Sequence, residues 1–399
     1  MAIEMSTDPA MPPPGGASNP VAEATDEVGV APRHIEAFAL RFRRDTPRPT
    51  PFGIQYGPQT VFLRVTDEHG AVGWGEAWGT FPSGLGIEHR AALIRTVMAP
   101  LLEGQRFASP AHAFAHLTRA TRLLANHTGE AGPIGQVLAG IDIALWDLVA
   151  RRAGKPLWRL LGGVRDSVPA YASGLDPQQI EAALPAILAA GYPALKLRIW
   201  GGEQPHADTL RRVIERAGPG VQVQADANQS WSLDEAVVQV RSFAGVGLQW
   251  IEEPLPADST DAEWRHLRAA SPVALAAGEN LRGRAAFDQA IENGLTVVQP
   301  DMCKWGGVSG CLPLARDIIA SGRRYFPHYL GGGIGFLCSA HLLAAAGGDG
   351  QLERDFHANP LRDRLVPPPP VVDGMITLPA APGWGTAPDE AAMRDYLVT

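Results

Sequence analysis

Three acidic residues occupy matching positions of a repeat in the middle of the chain. Asp226, Glu252 and Glu279 each close a short apolar run, and they follow one another at intervals of 26 and 27 residues. That interval is close to the length of one strand and one helix in a parallel βα repeat. If the runs are neighbouring barrel strands, the carboxylates meet at one mouth of the barrel, where oxygen ligands suit a hard cation such as Mg²⁺. The spacing therefore predicts a barrel with a metal centre.

Beyond Gly163, short apolar runs alternate with amphipathic helical segments. Eight such runs, with helices between most of them, match the strand count of a barrel. A doubly wound open sheet is the alternative, but its glycine-rich fingerprint is absent after the first run, where Tyr171-Ala-Ser-Gly-Leu175 stands. The expected strands are 168–172, 194–199, 221–225, 248–251, 273–277, 296–299, 324–327 and 350–352.

The chain divides into four segments. Residues 1–30 are rich in proline and polar residues, which predicts a disordered leader. Residues 31–163 combine a β-meander with an amphipathic helix at 133–152, which predicts an α+β domain. The barrel then occupies 164–360, and we expect 361–399 to return to the first domain.

Charge and cysteine content exclude several classes of protein. The net charge of −8 is spread along the chain without a basic run, so nucleic acid is not an expected partner. No run approaches the roughly 18 to 20 apolar residues of a membrane span, and the N-terminus lacks a secretory signal. We therefore expect a cytoplasmic protein without a membrane partner. Cys303, Cys311 and Cys338 have no metal-binding spacing and predict buried free thiols.

Charged or polar side chains end nearly every expected strand. This pattern is typical of catalysis, because the carboxyl ends of barrel strands carry the active sites of the fold. Isolated acids are usually surface residues or helix caps, but a phased series of this length is hard to obtain by chance. Besides the three acids, the series comprises Lys196, Arg198, Asp301, His328 and Glu353.

Eight segments carry most of these residues in a recognisable order: Ala139-Gly-Ile-Asp-Ile-Ala-Leu-Trp-Asp147, Gly154-Lys-Pro-Leu-Trp158, Lys196-Leu-Arg198, Asp226-Ala-Asn-Gln-Ser230, Trp250-Ile-Glu-Glu-Pro254, Gly278-Glu-Asn280, Gln299-Pro-Asp-Met-Cys-Lys-Trp-Gly-Gly307 and Leu352-Glu353. They resemble the enolase superfamily and, within it, the mandelate racemase branch. The resemblance covers about residues 35–395. It implies an α/β fold, a modified TIM barrel of the (β/α)7β type with an N-terminal α+β capping domain, and it suggests a homo-oligomer.

The resemblance also implies a metal centre. Asp226, Glu252 and Glu279 would bind Mg²⁺, with Glu253 and Asn228 behind them. A carboxylate substrate that loses its α-proton becomes a dianionic enediolate, and a cation with preorganised donors makes this species accessible near neutral pH.

Further residues are implied to handle the substrate. Lys196 would contact the substrate carboxylate, and Glu353, if protonated, would donate a hydrogen bond to one of its oxygens. Asp301 would accept a hydrogen bond from His328, which fixes the imidazole tautomer and raises its basicity. Lys304 is interpreted as a loop residue near the site rather than as a base.

The sequence departs from the racemase pattern at Arg198, which replaces a second lysine that serves as a base. A guanidinium stays protonated, so we expect one-base chemistry. His328 would remove the α-proton of a 2,3-dihydroxy acid, and loss of the β-hydroxyl as water would give a 2-keto-3-deoxy acid. An acid-sugar dehydratase is the leading hypothesis. The alternatives are a racemase, epimerase or cycloisomerase of another carboxylate, and a non-catalytic metal-binding scaffold.

Substrate specificity is expected to reside in loops that close over the barrel mouth. Segments 50–56 and 77–85 of the first domain mix aromatic and flexible residues, as lids do. The glycine-rich segment 328–335 is expected to form a flexible loop in which the backbone approaches the substrate.

Overall fold

The computed structural model describes residues 29–201 and 206–398. The predicted leader therefore lies outside the described residues, except for Gly29 and Val30. Val30 is buried and forms a bridge with Phe107, so it already belongs to the capping domain.

The capping domain begins with a meander, as predicted. Strand β1 (Pro32–Arg41) is followed by a small hairpin of β2 (Arg48–Thr50) and β3 (Gly53–Gln55). Strands β4 (Gln59–Asp67) and β5 (Val72–Trp78) then complete an antiparallel sheet in the order β1–β4–β5.

Helices cover one face of this sheet. They are α1 (Gly86–Leu93), which continues as a π-helical turn (Ile94–Met98), α2 (Ala99–Leu102), α3 (Pro110–Thr128), α4 (Ala131–Arg152) and α5 (Leu157–Leu160). Helix α4 confirms the helix predicted at 133–152 and packs so closely on β5 that a Cβ at Gly75 would overlap the Gly140 carbonyl. By length and composition α4 alone, among the described residues, resembles a membrane span. Because 94% of its most apolar window is buried inside the protein, it is a core helix.

Eight parallel strands form the second domain, and each overlaps a predicted one. They are β6 (Ser167–Leu175), β7 (Ala194–Arg198), β8 (Gln222–Asp226), β9 (Trp250–Glu252), β10 (Ala274–Ala277), β11 (Val297–Val298), β12 (Arg324–Tyr325) and β13 (Leu352–Asp355). From β6 to β12 each strand lies beside its successor, and β13 returns to pair with β6. The doubly wound alternative is therefore wrong, since it requires a reversal of strand order.

Seven helices connect these strands in the described part of the chain. They are α6 (Ile180–Ala189), α7 (Ala207–Ala217), α8 (Leu233–Ser242), α9 (Asp261–Ala270), α10 (Arg284–Glu292), α11 (Gly307–Ala320) and α12 (Gly333–Ala346). Capping boxes begin two of them, at Ser232 for α8 and at Thr260 for α9. The architecture is the predicted modified TIM barrel, (β/α)7β.

An aromatic layer fills the barrel interior. The rings of Trp250 and Phe326 are 4.7 Å apart, and Tyr171 lies 6.2 Å from each. All three side chains are fully buried. Such layers make the interior of this fold a packed core, and they form the floor of the mouth above them.

The last segment adds a hairpin that the sequence analysis missed. After α13 (Pro360–Asp363), strands β14 (Val371–Val372) and β15 (Met375–Thr377) form a hairpin, and β15 pairs antiparallel with β6. The chain then passes through α14 (Glu390–Met393) and a 3-10 turn (Arg394–Tyr396) to the capping domain, where Leu397 bridges Leu40.

Candidate active site

A polar layer lies above the aromatic rings and brings the predicted site residues together. Because side chains alternate along a strand, the position two residues beyond an inward-facing ring faces inward as well, as Glu252 does after Trp250. The buried members of this layer are Lys196, Asp226, Glu252, Glu279, Asp301, His328 and Glu353. A cavity of about 190 Å³ opens over them, and both domains line it.

Lys196 is the centre of the charge network on one side of this layer. Its ammonium lies 2.7 Å from Glu252 Oε2, 3.0 Å from Glu353 Oε1 and 3.6 Å from Asp226 Oδ2. Burial opposes the charge, but the surrounding carboxylates raise the pKa of Lys196 well above its usual value. The lysine is therefore a fixed cation.

The three acids predicted to bind the metal carry more negative charge than the nearby lysines, Lys196 and Lys304, neutralise. Burial, together with the charges of Asp226 and Glu353, raises the pKa of Glu252 to about 8 despite the opposing effect of Lys196. Burial also raises the pKa of Asp226, and Glu279 adds to that effect. Glu252 Oε1 is a buried oxygen without a hydrogen-bond partner among the described residues.

These features fit a hard divalent cation, although the oxygens are not gathered around one centre. Within ranges 29–201 and 206–398, no three His, Cys, Asp or Glu side chains form a ready metal-binding group. Instead, Lys196 lies against Glu252, and the ammonium of Lys304 contacts Glu279. A donor set made only of carboxylate oxygens, crowded and with one oxygen unpaired, matches the preference of Mg²⁺.

Backbone strain accumulates beside these acids. Four non-glycine residues of the described chain have positive φ, and three of them are Asn228 (47°), Gln229 (60°) and Glu253 (40°). The Asn228 N–H donates to Asp226 Oδ1 at 2.8 Å, and Asn280 Nδ2 donates to both oxygens of Glu253 at 2.9 and 3.0 Å. Such conformations cost about 1–3 kcal/mol each and concentrate at functional sites.

His328 and Asp301 form the expected pair. His328 Nδ1 lies 2.8 Å from Asp301 Oδ2, and Asp301 Oδ1 accepts the N–H groups of Cys303 and Lys304 at 2.8 and 3.1 Å. His328 Nε2 faces Glu279 Oε2 at 3.3 Å. Burial opposes protonation, but Glu279 and nearby carboxylates raise the pKa of His328 to about 9. The contact of Nδ1 with Asp301 leaves Nε2 as the nitrogen that faces Glu279.

Glu353, on the last barrel strand, lies between Ser173, Tyr329 and Lys196. It accepts hydrogen bonds from the Ser173 hydroxyl at 2.5 Å and from the Tyr329 N–H at 3.3 Å. Although burial raises the pKa of Glu353, Lys196 and His328 outweigh burial and lower it. Glu353 therefore lies within contact of Lys196, and its role as a donor to a substrate oxygen stays a prediction.

Lys304 lies in the site itself, although the sequence analysis did not include this lysine among the site residues. The side chain is buried, its ammonium contacts Glu279 and lies 3.2 Å from Asn280 Oδ1, and it sits 4.8 Å from the Trp78 ring centroid. Burial opposes its charge, but Glu279 and Asp301 raise the pKa of Lys304. Its position on the loop before α11, three residues beyond Asp301, was the available signal.

Glu76 is a second residue that the sequence analysis missed. This carboxylate at the end of β5 is 1% exposed and accepts the Thr60 hydroxyl at 2.6 Å. It also accepts the N–H groups of Gly332 and Gly335 at 2.5 and 2.9 Å. The glycine-rich loop after His328 is thus anchored by the capping domain, not free as expected. An acid inside an otherwise apolar strand was the signal.

Arg198 borders the cavity but joins none of the contacts around the three acids. It lies two residues beyond Lys196 on β7, and its side chain is partly exposed. The two predicted lid segments also reach the cavity, through Thr50, Phe52, Trp78 and Phe81.

Comparison with known proteins agrees with this architecture. Residues 35–162 match the family model "Mandelate racemase / muconate lactonizing enzyme, N-terminal domain", and residues 179–392 match "Enolase C-terminal domain-like". A mandelate racemase/muconate lactonizing enzyme structure from Bordetella bronchiseptica RB50 superposes with a TM-score of 0.84 at 46% identity, covering 92% of this chain and 99% of that one. A Bradyrhizobium enolase complexed with magnesium and mandelic acid gives 0.79 at 28% identity, covering 93% and 99%.

Characterised relatives catalyse more than one reaction. A D-galactarolactone cycloisomerase of Agrobacterium fabrum is 30% identical over 91% of this chain and 97% of its own length. An L-talarate/galactarate dehydratase of Salmonella typhimurium is 33% identical over 67% and 66%. An L-Ala-D/L-Glu epimerase of Bacillus subtilis is 29% identical over 69% and 74%. Matched across both domains, the chain belongs to the enolase superfamily and, within it, to the mandelate racemase/muconate lactonizing enzyme family.

Proposed function

We propose that this protein is a Mg²⁺-dependent acid-sugar dehydratase. It removes the α-proton of a hydroxy carboxylate and expels the β-hydroxyl as water, which yields a 2-keto-3-deoxy acid. The proposal rests mainly on the His328–Asp301 pair. In this pair, His328 Nε2 faces the cavity beside Glu279. Arg198, at the position of the second lysine of racemases, cannot accept a proton at physiological pH.

The residues of the site have distinct tasks in this reaction. Lys196, held as a cation by its carboxylate neighbours, binds the substrate carboxylate. His328 Nε2 takes the α-proton, and the resulting imidazolium returns a proton to the departing β-hydroxyl. Asp301 keeps Nδ1 protonated, so Nε2 is the nitrogen that exchanges protons.

Asp226, Glu252 and Glu279 are the residues that would hold Mg²⁺. A bound divalent cation supplies positive charge for the developing carbanion and carboxylate of the substrate. The unpaired Glu252 Oε1 and the mutual repulsion of the acids support this assignment, as does the magnesium in a solved relative. Glu253, which accepts from Asn280, supports the neighbouring Glu252 through the backbone.

A lactone cycloisomerase is the second candidate, because the relative with the widest coverage among those named above carries that activity. The first step is the same removal of an α-proton. The leaving group then differs: it is a ring oxygen that remains in the product, instead of a hydroxyl that departs as water.

The test uses purified protein with Mg²⁺ and a panel of aldonic acids, aldaric acids and their lactones. Formation of a 2-keto acid with loss of one water in the mass spectrum supports the dehydratase, while an isomer of unchanged mass supports the cycloisomerase. Solvent deuterium at the α-carbon with loss of optical activity and no keto acid would overturn both in favour of a racemase or epimerase.

We also propose a homo-oligomer of cytoplasmic location. Phe52, Ile54, Tyr56 and Leu85 expose large apolar side chains on the β2–β3 hairpin and the neighbouring loop, and such groupings mark interaction surfaces. The three buried free cysteines are compatible with a reducing compartment. Light scattering after gel filtration measures the oligomeric state.

A further inference from the structure

A second polar layer stands above the one that holds the predicted metal acids. Side chains two residues apart on a strand share a face, so Arg198 lies above Lys196 on β7 and Asp355 lies above Glu353 on β13. Arg198 and Asp355 interact electrostatically, and both border the cavity. The upper layer therefore faces the part of a substrate that is distant from the reacting carboxylate.

The capping domain completes this layer with Arg48 from β2. Its guanidinium contacts Asp176, and its Nη1 lies 2.7 Å from His357 Nε2. Because Arg48 donates to Nε2, the imidazole proton stands on Nδ1, which lies 2.9 Å from Asp355 Oδ1. Arg48 is thus held in place by two groups, Asp176 and His357, and its side chain is only 19% exposed.

The layer carries more positive charge than its acids neutralise. Three guanidinium groups, those of Arg44, Arg48 and Arg198, border the cavity. Two carboxylates accompany them: Asp355, which also borders the cavity, and Asp176, which pairs with Arg48 behind it. Burial and the repulsion of Arg198 and Arg44 lower the pKa of Arg48. Among the residues that the structure describes, Arg198 has no hydrogen-bond partner, so its planar fork of donors is available to a ligand.

We propose that Arg198 and Arg48 bind the distal carboxylate of a dicarboxylic acid sugar, so the substrate is an aldarate rather than an aldonate. This inference rests on the proposed function, because it places the proximal carboxylate at Lys196. A carboxylate matches the bidentate geometry of a guanidinium and removes the excess charge of the layer, whereas a terminal hydroxymethyl group does neither.

The experiment compares pairs of substrates that differ only in the oxidation state of the last carbon: galactarate with galactonate, and glucarate with gluconate. With Mg²⁺, the unmodified enzyme should have a kcat/KM at least about tenfold higher for the diacid of a pair, since charge-assisted hydrogen bonds contribute on this scale. Arg198→Gln should lower kcat/KM for the diacid more than for the monoacid, so that the preference falls toward unity. Arg48→Gln provides a second variant, and the exposed Arg95→Gln of the capping domain is the matched control.

A binding experiment tests the distal carboxylate site independently of the proposed reaction. Calorimetry with the His328→Asn variant and Mg²⁺ measures the affinity of each acid without turnover. A diacid preference that disappears in the His328→Asn/Arg198→Gln double variant supports the distal site even if no keto acid forms in any assay. The inference would be overturned by equal affinity for both members of every pair, by a preference for the monoacid, or by no detectable diacid binding. The proposed reaction would still stand in those cases if the enzyme formed keto acid from the monoacids.

Discussion

Glu76 and Gly332 join the capping domain to the barrel at the loop that follows His328. Glu76 Oε1 accepts the Gly332 N–H at 2.5 Å, and Oε2 accepts the Gly335 N–H at 2.9 Å. The same loop contains Tyr329, whose N–H donates to Glu353. The position of the loop, and with it the geometry around His328, therefore depends on a side chain of the other domain.

Replacing Glu76 by Gln should disturb this junction. The glutamine amide would direct its own N–H groups at a backbone N–H that the carboxylate accepts. Each buried donor left without an acceptor costs about 1–3 kcal/mol. We expect kcat to fall by roughly tenfold or more and the melting temperature to decrease. Steady-state kinetics and thermal unfolding measure both, with the exposed Glu390→Gln on α14 of the C-terminal segment as the control. An unchanged kcat would show that the junction does not position the loop.

Replacing His328 by Asn should remove the proton-transfer group while preserving the fold. General acid–base catalysis contributes about 10²- to 10⁴-fold, so we expect kcat to fall by at least two orders of magnitude. Circular dichroism should remain unchanged. The exposed His127→Asn is the control, and turnover that survives in His328→Asn would contradict the assigned role.

Binding of Mg²⁺ should raise the melting temperature of the protein. A ligand present at about 100 times its dissociation constant stabilises the native state by about 2.7 kcal/mol. Glu252→Gln should abolish the shift because it removes one of the predicted ligands. Calorimetry with Mg²⁺ and with a chelator measures the effect, and the exposed Glu215→Gln should retain it. An intact shift in Glu252→Gln would remove Glu252 from the ligand set.

Replacing Lys304 by Met should make the protein more dependent on the metal. Breaking a buried ion pair leaves an uncompensated charge at a cost of about 3–5 kcal/mol, here on Glu279. A divalent cation offsets that charge, so Mg²⁺ should raise the melting temperature more in Lys304→Met than in the unmodified protein. The exposed Lys155→Met is the control. Equal shifts in the two variants would show that Lys304 and the metal do not share Glu279.

Asp142 should make stability depend on pH. Burial raises its pKa to about 7, against the opposing hydrogen bonds from Ser309 at 2.6 and 2.9 Å. Because the folded-state value lies above the unfolded one, the associated stability is complete below about pH 4 and is lost as the pH rises through about 7. Between about pH 5 and 8, the free energy of unfolding should therefore fall less in Asp142→Asn than in the unmodified protein. The difference is set by the pKa shift, at about 1.4 kcal/mol for each pKa unit.

Urea unfolding at a series of pH values measures this difference. The exposed Asp208→Asn should follow the curve of the unmodified protein. Parallel curves for Asp142→Asn and the unmodified protein would show that Asp142 keeps its charge in the folded state.

The barrel could be predicted because most of its strands are short apolar runs with a polar residue at their end or within the next three positions. Asp226 and Glu252 lie at the last residues of β8 and β9, where the sequence analysis expected them. The β14–β15 hairpin could not be predicted in the same way. Its strands are two and three residues long, among prolines and turn residues, and they are stabilised by pairing with β6, which lies about 200 residues earlier.

The charged residues at the strand ends were predictable, whereas their partners on loops and in the other domain were not. Spacing along the repeat indicates which side chains face the mouth, but it carries no information on which distant groups fold against them. Arg48 meets Asp176 and His357 only because the hairpin of the capping domain reaches the barrel. For the same reason the contact between Glu353 and Lys196 became evident only from the folded structure.

Both ends of the described chain pack on the capping domain. Val30 bridges Phe107, and Leu397 bridges Leu40 of β1 at the opposite end of the sequence. During synthesis on the ribosome, the final barrel strand, β13, therefore emerges before the C-terminal segment that packs on the capping domain. A copy truncated after β13 would therefore keep all eight barrel strands but lose the bridge between Leu397 and the capping domain.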